Sequence, residues 1–389
     1  MIRWKILRLS INSLLGVILF WSCSDEKTDS GQDIFFEFSE RKEVFLGFSG
    51  LSSDYLQSLS WRNRSSGLIY NYVNHSFDSL FFENDSLIIK HGVQMEFDGH
   101  GSVPRFYSFF SMSDSILIFS GKELIIKSSL SSQTQKVHLK EFSIFDLENP
   151  FQNIAYSPFF SLECNYQDAN SNRAYFFIQD SRNKIFDLVW YDISENEFQK
   201  VPLEIENEEI NQMILEVDLG KTKMAPNLSP ELFVHQDKVI ITYPFKSEFL
   251  VYDIWKNDIQ RISPKTFGFP ERIEAPIEIK NEVSFNEALE LIKNENMKGR
   301  FGSFSFLEEE EIFFRMIKGR SQGEVKNFDL YLEVFNQEFE KIGEQNLSDL
   351  NPDLDNRYFL VNDKIAFVAK DQPDEDVMYF YYLNIRRSK

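Results

Sequence analysis

The sequence predicts an all-β protein: a six-bladed β-propeller of four-stranded antiparallel blades, its ring closed by an N-terminal strand. Aromatic residues make up 15% of the 389 residues, and 40 are phenylalanine; such side chains favour pleated, half-buried surfaces. Short apolar runs alternate with Asp, Ser, Asn and Gly, which is typical of strands joined by turns. About six such units follow one another at the roughly 40–50-residue spacing of propeller blades.

The first 22 residues have the layout of a lipoprotein signal peptide. A basic start over residues 1–8 precedes an apolar run over 11–21, shorter than the about 20 apolar residues that span a bilayer. Phe20-Trp21-Ser22-Cys23 resembles a bacterial lipobox, although Leu is usual at the first position and a small residue at the second. We expect residues 1–22 to be removed and the Cys23 thiol to carry lipid. An ordinary signal with a coincidental cysteine and an uncleaved signal anchor remain alternatives.

Residues 23–33 are polar and charged, which predicts a flexible tether. Residues 34–389 then form a single β-propeller domain. The acids directly after Cys23 resemble signals that send some lipoproteins to the outer surface of the outer membrane, although acidic tethers also serve solubility. We expect an exported protein, anchored by lipid to the cell envelope at the periplasmic or surface face of the outer membrane.

Each predicted unit contributes a buried strand, a hairpin, a second strand and an outer strand. In the first unit these strands are 78–82, 85–89 and 93–97. The innermost strand of a unit comes before them, as at Ser108-Phe109 and Ser305-Phe306. In chain order the units span residues 78–97, 114–139, 174–201, 238–262, 311–342 and 364–383.

The last unit lacks an outer strand, whereas residues 43–48 form an unassigned alternating strand near the start of the domain. Placing this strand beside the last blade closes the ring and removes an exposed sheet edge. The strand missing from the last unit is therefore matched by the unassigned strand at the start of the domain.

Two long connections, 203–230 and 269–299, interrupt the units. The second contains a predicted helix within residues 284–296. Ser284 is a good N-cap, Glu287 completes a capping box, and Leu289 with Ile292 makes an apolar stripe. This helical insertion covers a channel mouth or simply packs on the rim.

With signal, tether and units in place, the whole chain resembles a family of Gram-negative lipoproteins, the six-bladed propellers of domain of unknown function 4221. The resemblance depends on Cys23, on the blade pattern and on residues 98–106, which resemble the Gly-rich turn that opens a blade. It implies the fold and the location. It implies no activity and no catalytic residues.

The net charge of −20 disfavours nucleic acid and anionic lipid surfaces as partners. It equally serves to keep a Phe-rich protein soluble. We expect a monomer that reaches the membrane through its lipid.

The candidate chemical groups form no recognisable catalytic, cofactor or metal site. The five histidines lack zinc-hydrolase spacing, and we expect each on the surface or in a turn. Cys164 has no motif around it and is expected to be buried without a disulfide. Residues 168–172 match half of a calcium loop, but Arg173 replaces its Gly and Gln179 its final Glu. Acidic runs at 308–311 and 371–376 are expected to be solvated turns. The histidines are His75, His91, His100, His138 and His235.

These features favour a non-enzymatic binding or scaffold protein at the cell envelope that recognises a protein or a glycan. An envelope hydrolase or lyase acting on glycans is the alternative, because propeller enzymes assemble sites from several blades. A purely structural envelope protein is indistinguishable from the first hypothesis by sequence.

Overall fold

The structure is a computed structural model. It describes residues 34–45, 59–61, 66–71, 74–83, 86–96, 102–103, 108–112, 115–120, 123–128, 134–145, 152–155, 173–180, 185–201, 217–218, 223–224, 230–273, 283–321, 328–361, 363–374 and 376–387. One compact unit spans Ile34–Arg386, and it contains every element below except the last residue of the final strand. A second unit comprises Met1–Asp33 with Arg387–Lys389, of which only Arg387 is described. The predicted signal peptide, Cys23 and the tether lie outside the described residues.

The described part of the chain is all-β, with two short α-helices. The helices are α1 (Phe285–Asn296) and α2 (Leu347–Leu350). No helix in the described ranges is long and apolar enough to cross a membrane. The strands are β1 (Ile34–Phe38), β2 (Lys42–Phe45), β3 (Leu59–Trp61), β4 (Ser66–Asn71), β5 (Ser76–Glu83), β6 (Ser86–Gln94), β7 (Ser108–Met112), β8 (Ser115–Ser120), β9 (Glu123–Ser128), β10 (Thr134–His138), β11 (Gln152–Ala155), β12 (Arg173–Asp180), β13 (Ile185–Asp192), β14 (Glu197–Val201), β15 (Val217–Asp218), β16 (Lys223–Met224), β17 (Glu231–His235), β18 (Lys238–Thr242), β19 (Phe249–Asp253), β20 (Asp258–Ile262), β21 (Arg300–Leu307), β22 (Ile312–Lys318), β23 (Leu330–Phe335), β24 (Lys341–Asn346), β25 (Leu354–Val361), β26 (Lys364–Ala369) and β27 (Val377–Arg387).

Consecutive strands pair into sheets. Sheets 1 to 5 are β3–β6, β7–β10, β11–β14, β17–β20 and β21–β24, each with its strands side by side in chain order. Within these five sheets neighbouring strands are antiparallel. Sheet 6 contains β25, β26 and β27, with β1 and β2 both added on β27. The connection at 203–230 contributes only the small ribbon β15–β16.

Burial follows the position of a strand in its sheet. All five residues of β19, a third strand, are buried, and its sequence is a nearly continuous apolar run, as expected when both faces are covered. The last strand of sheet 5, β24, is half-buried at every position. Middle strands therefore supply the core, and outer strands carry the polar side chains.

Six hydrophobic clusters each join two sheets. The clusters join sheet 1 to 2, 2 to 3, 3 to 4, 4 to 5, 5 to 6 and 6 to 1. The cluster between sheets 4 and 5 is aromatic, with Phe249, Phe304 and Phe335 packed at ring-centroid distances of 4.6–5.6 Å. Removing one such buried ring typically costs about 3–5 kcal/mol.

Sheet 6 combines strands from opposite ends of the domain. Lys42, Glu43, Val44 and Phe45 pair antiparallel with Phe380, Tyr379, Met378 and Val377, and Val44 is buried in the cluster shared by sheets 6 and 1. The predicted pairing of the N-terminal strand, residues 43–48, with the last unit is therefore confirmed over residues 43–45, and residues 46–48 lie outside the described residues. The sequence reading did not identify β1, which packs Ile34, Phe36 and Phe38 against the cluster between sheets 5 and 6.

The prediction for the first unit was wrong in strand order. Residues 85–89 and 93–97 were predicted as two strands, but β6 is one strand, and β3 and β4 precede it in sheet 1. The residues Lys90-His91-Gly92, predicted to separate two strands, lie within β6 where its pairing with β5 is irregular. The β5–β6 register shifts between Phe77 and Ser79. A side chain at Gly92 would place its Cβ 2.0 Å from the Phe77 carbonyl oxygen. The glycine marks a close approach of two strands and not a hairpin.

Candidate functional site

Within the described residues, a long connection that departs from the regular sheets joins β20 to β21; we call its described parts, residues 263–273 and 283–299, the insertion. Its helix α1 begins with the capping box that the sequence predicts. The Ser284 Oγ accepts the Glu287 N–H at 3.3 Å, and the Glu287 carboxylate accepts the Ser284 N–H at 2.8 Å. Hydrogen bonds from the Ser284 side chain and backbone lower the pKa of Glu287.

The buried face of α1 differs from the predicted stripe. Ala288 is fully buried, Ile292 packs against the cluster between sheets 3 and 4, and Glu295 is 6% exposed. These residues recur at helical spacing. Leu289, predicted as part of the apolar stripe with Ile292, is 44% exposed. Phe285 is 59% exposed. The helix therefore rests on a small residue and presents two large apolar side chains outward.

The C-terminal end of α1 is held by charges. Lys298 Nζ lies 2.6 Å from Glu295 Oε1. Burial lowers the pKa of Arg300, at the start of β21, and the negative charges of Glu231 and Glu295 oppose this shift. This charged group joins the helix end to the first residues of β17 and β21.

The loop between β18 and β19 ties the insertion to sheet 4. The Ser247 N–H donates to the Glu271 carbonyl at 2.8 Å, and the Ile273 N–H donates to the Phe245 carbonyl at 2.7 Å. Beyond the helix, the Ser321 N–H donates to the Met297 carbonyl at 2.9 Å. Backbone bonds thus fix the insertion near both of its ends.

Residues 265–269, the strap, attach the insertion to sheet 5. The Glu344 carboxylate accepts the Phe267 N–H at 3.0 Å and the Gly268 N–H at 2.5 Å. Phe269 is buried against sheet 5, whereas Phe267 is 74% exposed. The strap therefore holds one aromatic ring in the core and one in solvent.

A buried charge network runs from sheet 5 to the strap. Arg315 donates from Nε and Nη2 to Glu333 Oε2 at 2.8 and 2.5 Å, and both side chains are fully buried. Glu333 Oε1 accepts from Lys341 Nζ at 2.7 Å, and Lys341 also pairs with Glu344. Burial lowers the pKa of Arg315.

Four phenylalanine rings surround the Arg315 guanidinium at 4.9–5.7 Å, a favourable placement for a cation. Its Nη1 is buried without a hydrogen-bond partner within the described residues. The sequence reading missed this network. The sequence did contain a signal: Arg315 interrupts the apolar strand β22, and Glu333 interrupts the apolar strand β23. The two residues are directly paired in the register of these strands.

Sheets 3 and 4 contain the same turn between their last two strands, with the sequence Tyr-Asp-Ile-x-x-Asn at residues 191–196 and 252–257. The tyrosine hydroxyl donates to the asparagine Oδ1 at 2.8 and 3.0 Å. The asparagines have φ of 52° and 51°, a left-handed conformation that Asn tolerates.

In each turn the aspartate accepts two backbone N–H groups, at 3.0 and 3.2 Å for Asp192 and at 3.1 and 2.9 Å for Asp253. A cation from the preceding strand also binds it: Arg173 to Asp192 and Lys238 to Asp253. The hydrogen bond from Lys238 holds the pKa of Asp253 well below its usual range. Burial raises the pKa of Tyr191 to about 12.

The three histidine side chains that the structure describes belong to different sheets: His75 to the turn between β4 and β5 of sheet 1, His138 to sheet 2 and His235 to sheet 4. Cys23, Cys164, His100 and residues 168–172 lie outside the described residues. The side chains of His91 and Gln179 also lie outside them. Arg173 pairs with Asp192, as described above.

Three histidine side chains are described. His75 is in a turn, as predicted, but it is buried, with Nδ1 2.6 Å from the Tyr70 hydroxyl and Nε2 3.2 Å from the Val103 carbonyl oxygen. Burial lowers its pKa. His138 is exposed, and half-buried His235 packs its ring 4.0 Å from that of Phe306.

The first acidic run, residues 308–311, is a turn, whereas residues 371–374 and 376 of the second run lie in the loop between β26 and β27, and residue 375 lies outside the described residues. Residues 308–311 are exposed, and the Glu308 and Glu309 N–H groups donate to the Asp363 carboxylate at 2.9 and 2.5 Å. In the β26–β27 loop the Asp371 Oδ2 lies 3.7 Å from the Arg41 Nη1. Within the described ranges, no three His, Cys, Asp or Glu side chains are grouped to hold a metal ion.

Comparison with solved structures shows the fold. A member of the DUF4221 family from Bacteroides vulgatus matches with a TM-score of 0.58 at 11% identity, over 92% of this chain and 99% of that one. The calcium-binding protein regucalcin from Agrobacterium tumefaciens matches at 8% identity over 89% and 93% of the two chains, with a TM-score of 0.40. A luciferin-regenerating enzyme matches at 8% identity over 90% and 95%, with a TM-score of 0.39. The last two scores are too low to carry an argument.

No curated protein matches the chain. The family comparison agrees with the resemblance seen in the sequence: the domain of unknown function DUF4221 matches residues 28–346. That match covers most of the sequence, and the chain belongs to the DUF4221 family.

Proposed function

We propose that this protein is a binding or scaffold protein of the cell envelope, anchored through lipid on Cys23 and built on a six-bladed β-propeller. The anchor is supported by the basic start, the apolar run and the small residue before Cys23. Several acyl chains bury enough methylene groups to hold a protein at a membrane stably.

The six-bladed ring is supported by the order of the sheet contacts. Each sheet shares hydrophobic clusters with the sheets before and after it, and the sixth cluster joins sheet 6 to sheet 1. The pairing of β2 with β27 puts strands from both ends of the Ile34–Arg386 unit in one sheet. A ring of six four-stranded blades accounts for this cyclic order.

The observation that carries the binding role is the insertion. Backbone hydrogen bonds, the strap and the buried face of α1 hold it against sheets 3, 4 and 5. It nevertheless exposes Phe267, Phe285 and Leu289. Aromatic side chains on a backbone that is already ordered are frequent anchors of protein interfaces, because little further entropy is lost when a partner covers them. Phe285 and Leu289 lie four residues apart on the exposed face of α1, and this face is the surface that we propose for a protein partner.

The test is crosslinking in native membranes followed by recovery of the tagged chain. The parent is compared with Cys23→Ala, with the double variant Phe285→Ser/Leu289→Ser, and with Leu350→Ser. Leu350 is a matched control, because it is similarly exposed at 45% but lies on α2. We expect at least a tenfold loss of specific partner in the double variant and none in Leu350→Ser.

The Cys23→Ala chain should leave the membrane fraction. If it stays there, the lipid anchor is wrong. Equal recovery of partners by the parent and the double variant would remove the insertion as the binding surface.

A further inference from the structure

The two Tyr-Asp-Ile-x-x-Asn turns differ at one informative position. The residue after isoleucine is Ser194 in sheet 3 and Trp255 in sheet 4. Trp255 is 84% exposed, more than any other large hydrophobic side chain within the described residues. The turns otherwise share the hydroxyl–amide bond, the two N–H groups on the aspartate, and the left-handed asparagine.

The fold does not require an indole at this position. The same turn forms with Ser194, and only the backbone N–H of Trp255 takes part, donating to Asp253. The neighbouring Ile254 packs inward against the cluster between sheets 3 and 4. The ring of Trp255 thus contributes nothing to the turn that a serine would not supply.

Polar side chains lie in the turn that carries Trp255 and next to it. Asp253 binds Lys238 at 2.6 Å and Lys256 at 3.1 Å. Asp237 lies 3.3 Å from Lys238, and its carbonyl accepts the Ile254 N–H. The turn therefore offers one apolar ring face beside carboxylates, ammonium groups and the amide of Asn257.

This combination selects among possible partners. A protein interface needs an apolar core of several side chains, but the other exposed large hydrophobic residues lie on β1, the insertion and α2. An anionic lipid surface is repelled by a chain of net charge −20. A neutral saccharide fits, since its C–H face stacks on an indole while its hydroxyl groups bond to carboxylates, amides and ammonium groups.

We propose that the turn 252–257 is a saccharide-binding site, with Trp255 as the stacking platform and Asp237, Lys256 and Asn257 as hydroxyl partners. The insertion bonds to the β18–β19 loop, at the opposite end of β19 from this turn, so the proposed site does not depend on a protein partner of the insertion. It gives the envelope protein a second, glycan-directed contact.

The test is an array of neutral oligosaccharides probed with the purified mature chain. Binding to any hit is then followed by tryptophan fluorescence. Trp255→Ser restores the residue that the matching turn already uses, so we expect unchanged circular dichroism and melting temperature. We expect the dissociation constant to rise at least tenfold in Trp255→Ser and less in Trp255→Phe, which keeps a ring. Phe267→Ser is the control for loss of an exposed aromatic residue elsewhere and should bind like the parent.

The ligand-induced change in emission should disappear in Trp255→Ser, because Trp255 is the proposed stacking platform. Three results would each overturn the proposal: no array glycan is bound, Trp255→Ser binds as tightly as the parent, or neutral phosphatidylcholine vesicles change the emission of Trp255 when sugars do not.

Discussion

Arg315 and Glu333 place a full positive and a full negative charge among phenylalanine rings. Taking two charges out of water is expensive, and their attraction compensates only when the geometry is good and further hydrogen bonds are made. Glu333 meets that condition, because Lys341 binds its second oxygen. The buried Nη1 of Arg315 is the one position in this network where compensation is incomplete. The pair is therefore sensitive to loss of either partner.

Glu333→Gln should lower the free energy of unfolding by about 3–5 kcal/mol, because it leaves Arg315 as an unpaired buried cation. Urea denaturation of the mature chain measures this change. Glu338→Gln, at an exposed position in the following turn, is the matched loss of a carboxylate and should change stability by less than about 0.5 kcal/mol. Similar effects of the two variants would show that the buried pair contributes little.

Individual residues were predictable from the sequence when their partners were local. The capping box of Ser284 and Glu287 follows from a three-residue spacing. Arg315 and Glu333 are 18 positions apart and meet only through the register of β22 and β23, which composition does not reveal. His75 was missed as a buried residue because its burial depends on the Val103 carbonyl, 28 positions away.

At the scale of elements, α1 shows which part of a periodic pattern was misleading. The sequence placed Leu289 inward because leucine is apolar, but Ala288 makes the contact with the core. A small residue allows the helix to approach the sheets closely, and the exposed leucine is then free for another role. The position of the helix along the chain was predicted well, but its rotation depended on the surface that it packs against.

Ser284→Ala should weaken α1 by about 1 kcal/mol, because it removes the acceptor for a helix N–H. Hydrogen exchange of residues 285–296 should accelerate, while exchange in β19 stays unchanged. Asn294→Ala, at an exposed position near the helix end, should have a smaller effect.

The stability that Ser284→Ala removes from α1 should also depend on pH, because the pKa of Glu287 is lowered in the folded protein. Because the folded protein lowers the pKa of Glu287, ionised Glu287 contributes to stability at pH values above the usual glutamate pKa. This contribution is lost as the pH falls through the pKa that Glu287 has in the folded protein. The difference between parent and Ser284→Ala should therefore shrink in acid. A difference in stability that stays constant with pH would argue against the hydrogen bond from the Ser284 N–H to the Glu287 carboxylate.

At the scale of the whole molecule, the number of units and the meeting of the two ends were predictable from a count of strands. The last unit lacked one strand in the sequence pattern, and β2, which overlaps the predicted strand at residues 43–45, pairs with it. The addition of β1 beside β2 on the long strand β27 was not predictable, because it depends on the 11-residue length of β27. Whether an apolar run is one bent strand or two, as in β6, likewise depended on tertiary contact.

The pairing of Glu43 with Tyr379 allows a crosslink test of this closure. Glu43→Cys combined with Tyr379→Cys should form a disulfide under oxidation, because directly paired strand residues have suitable spacing. The oxidised form should be more stable than the reduced form by about 2–4 kcal/mol, and long loops favour the upper end. Thermal melting with and without reductant measures the gain. Glu43→Cys alone should show none, and a double variant that fails to crosslink would contradict the register.

The pairing of β2 with β27 also sets an order in time. The 331 residues between Phe45 and Val377 must be synthesised before β2 meets its partner, which takes roughly 17–66 s at about 5–20 residues per second. Strand β2 is thus synthesised early but pairs with its partner strand late. During this interval its hydrogen-bonding groups lack their final partner and are open to a neighbouring chain. Completion of sheet 6 therefore requires that β2 stays unpaired until β27 is available.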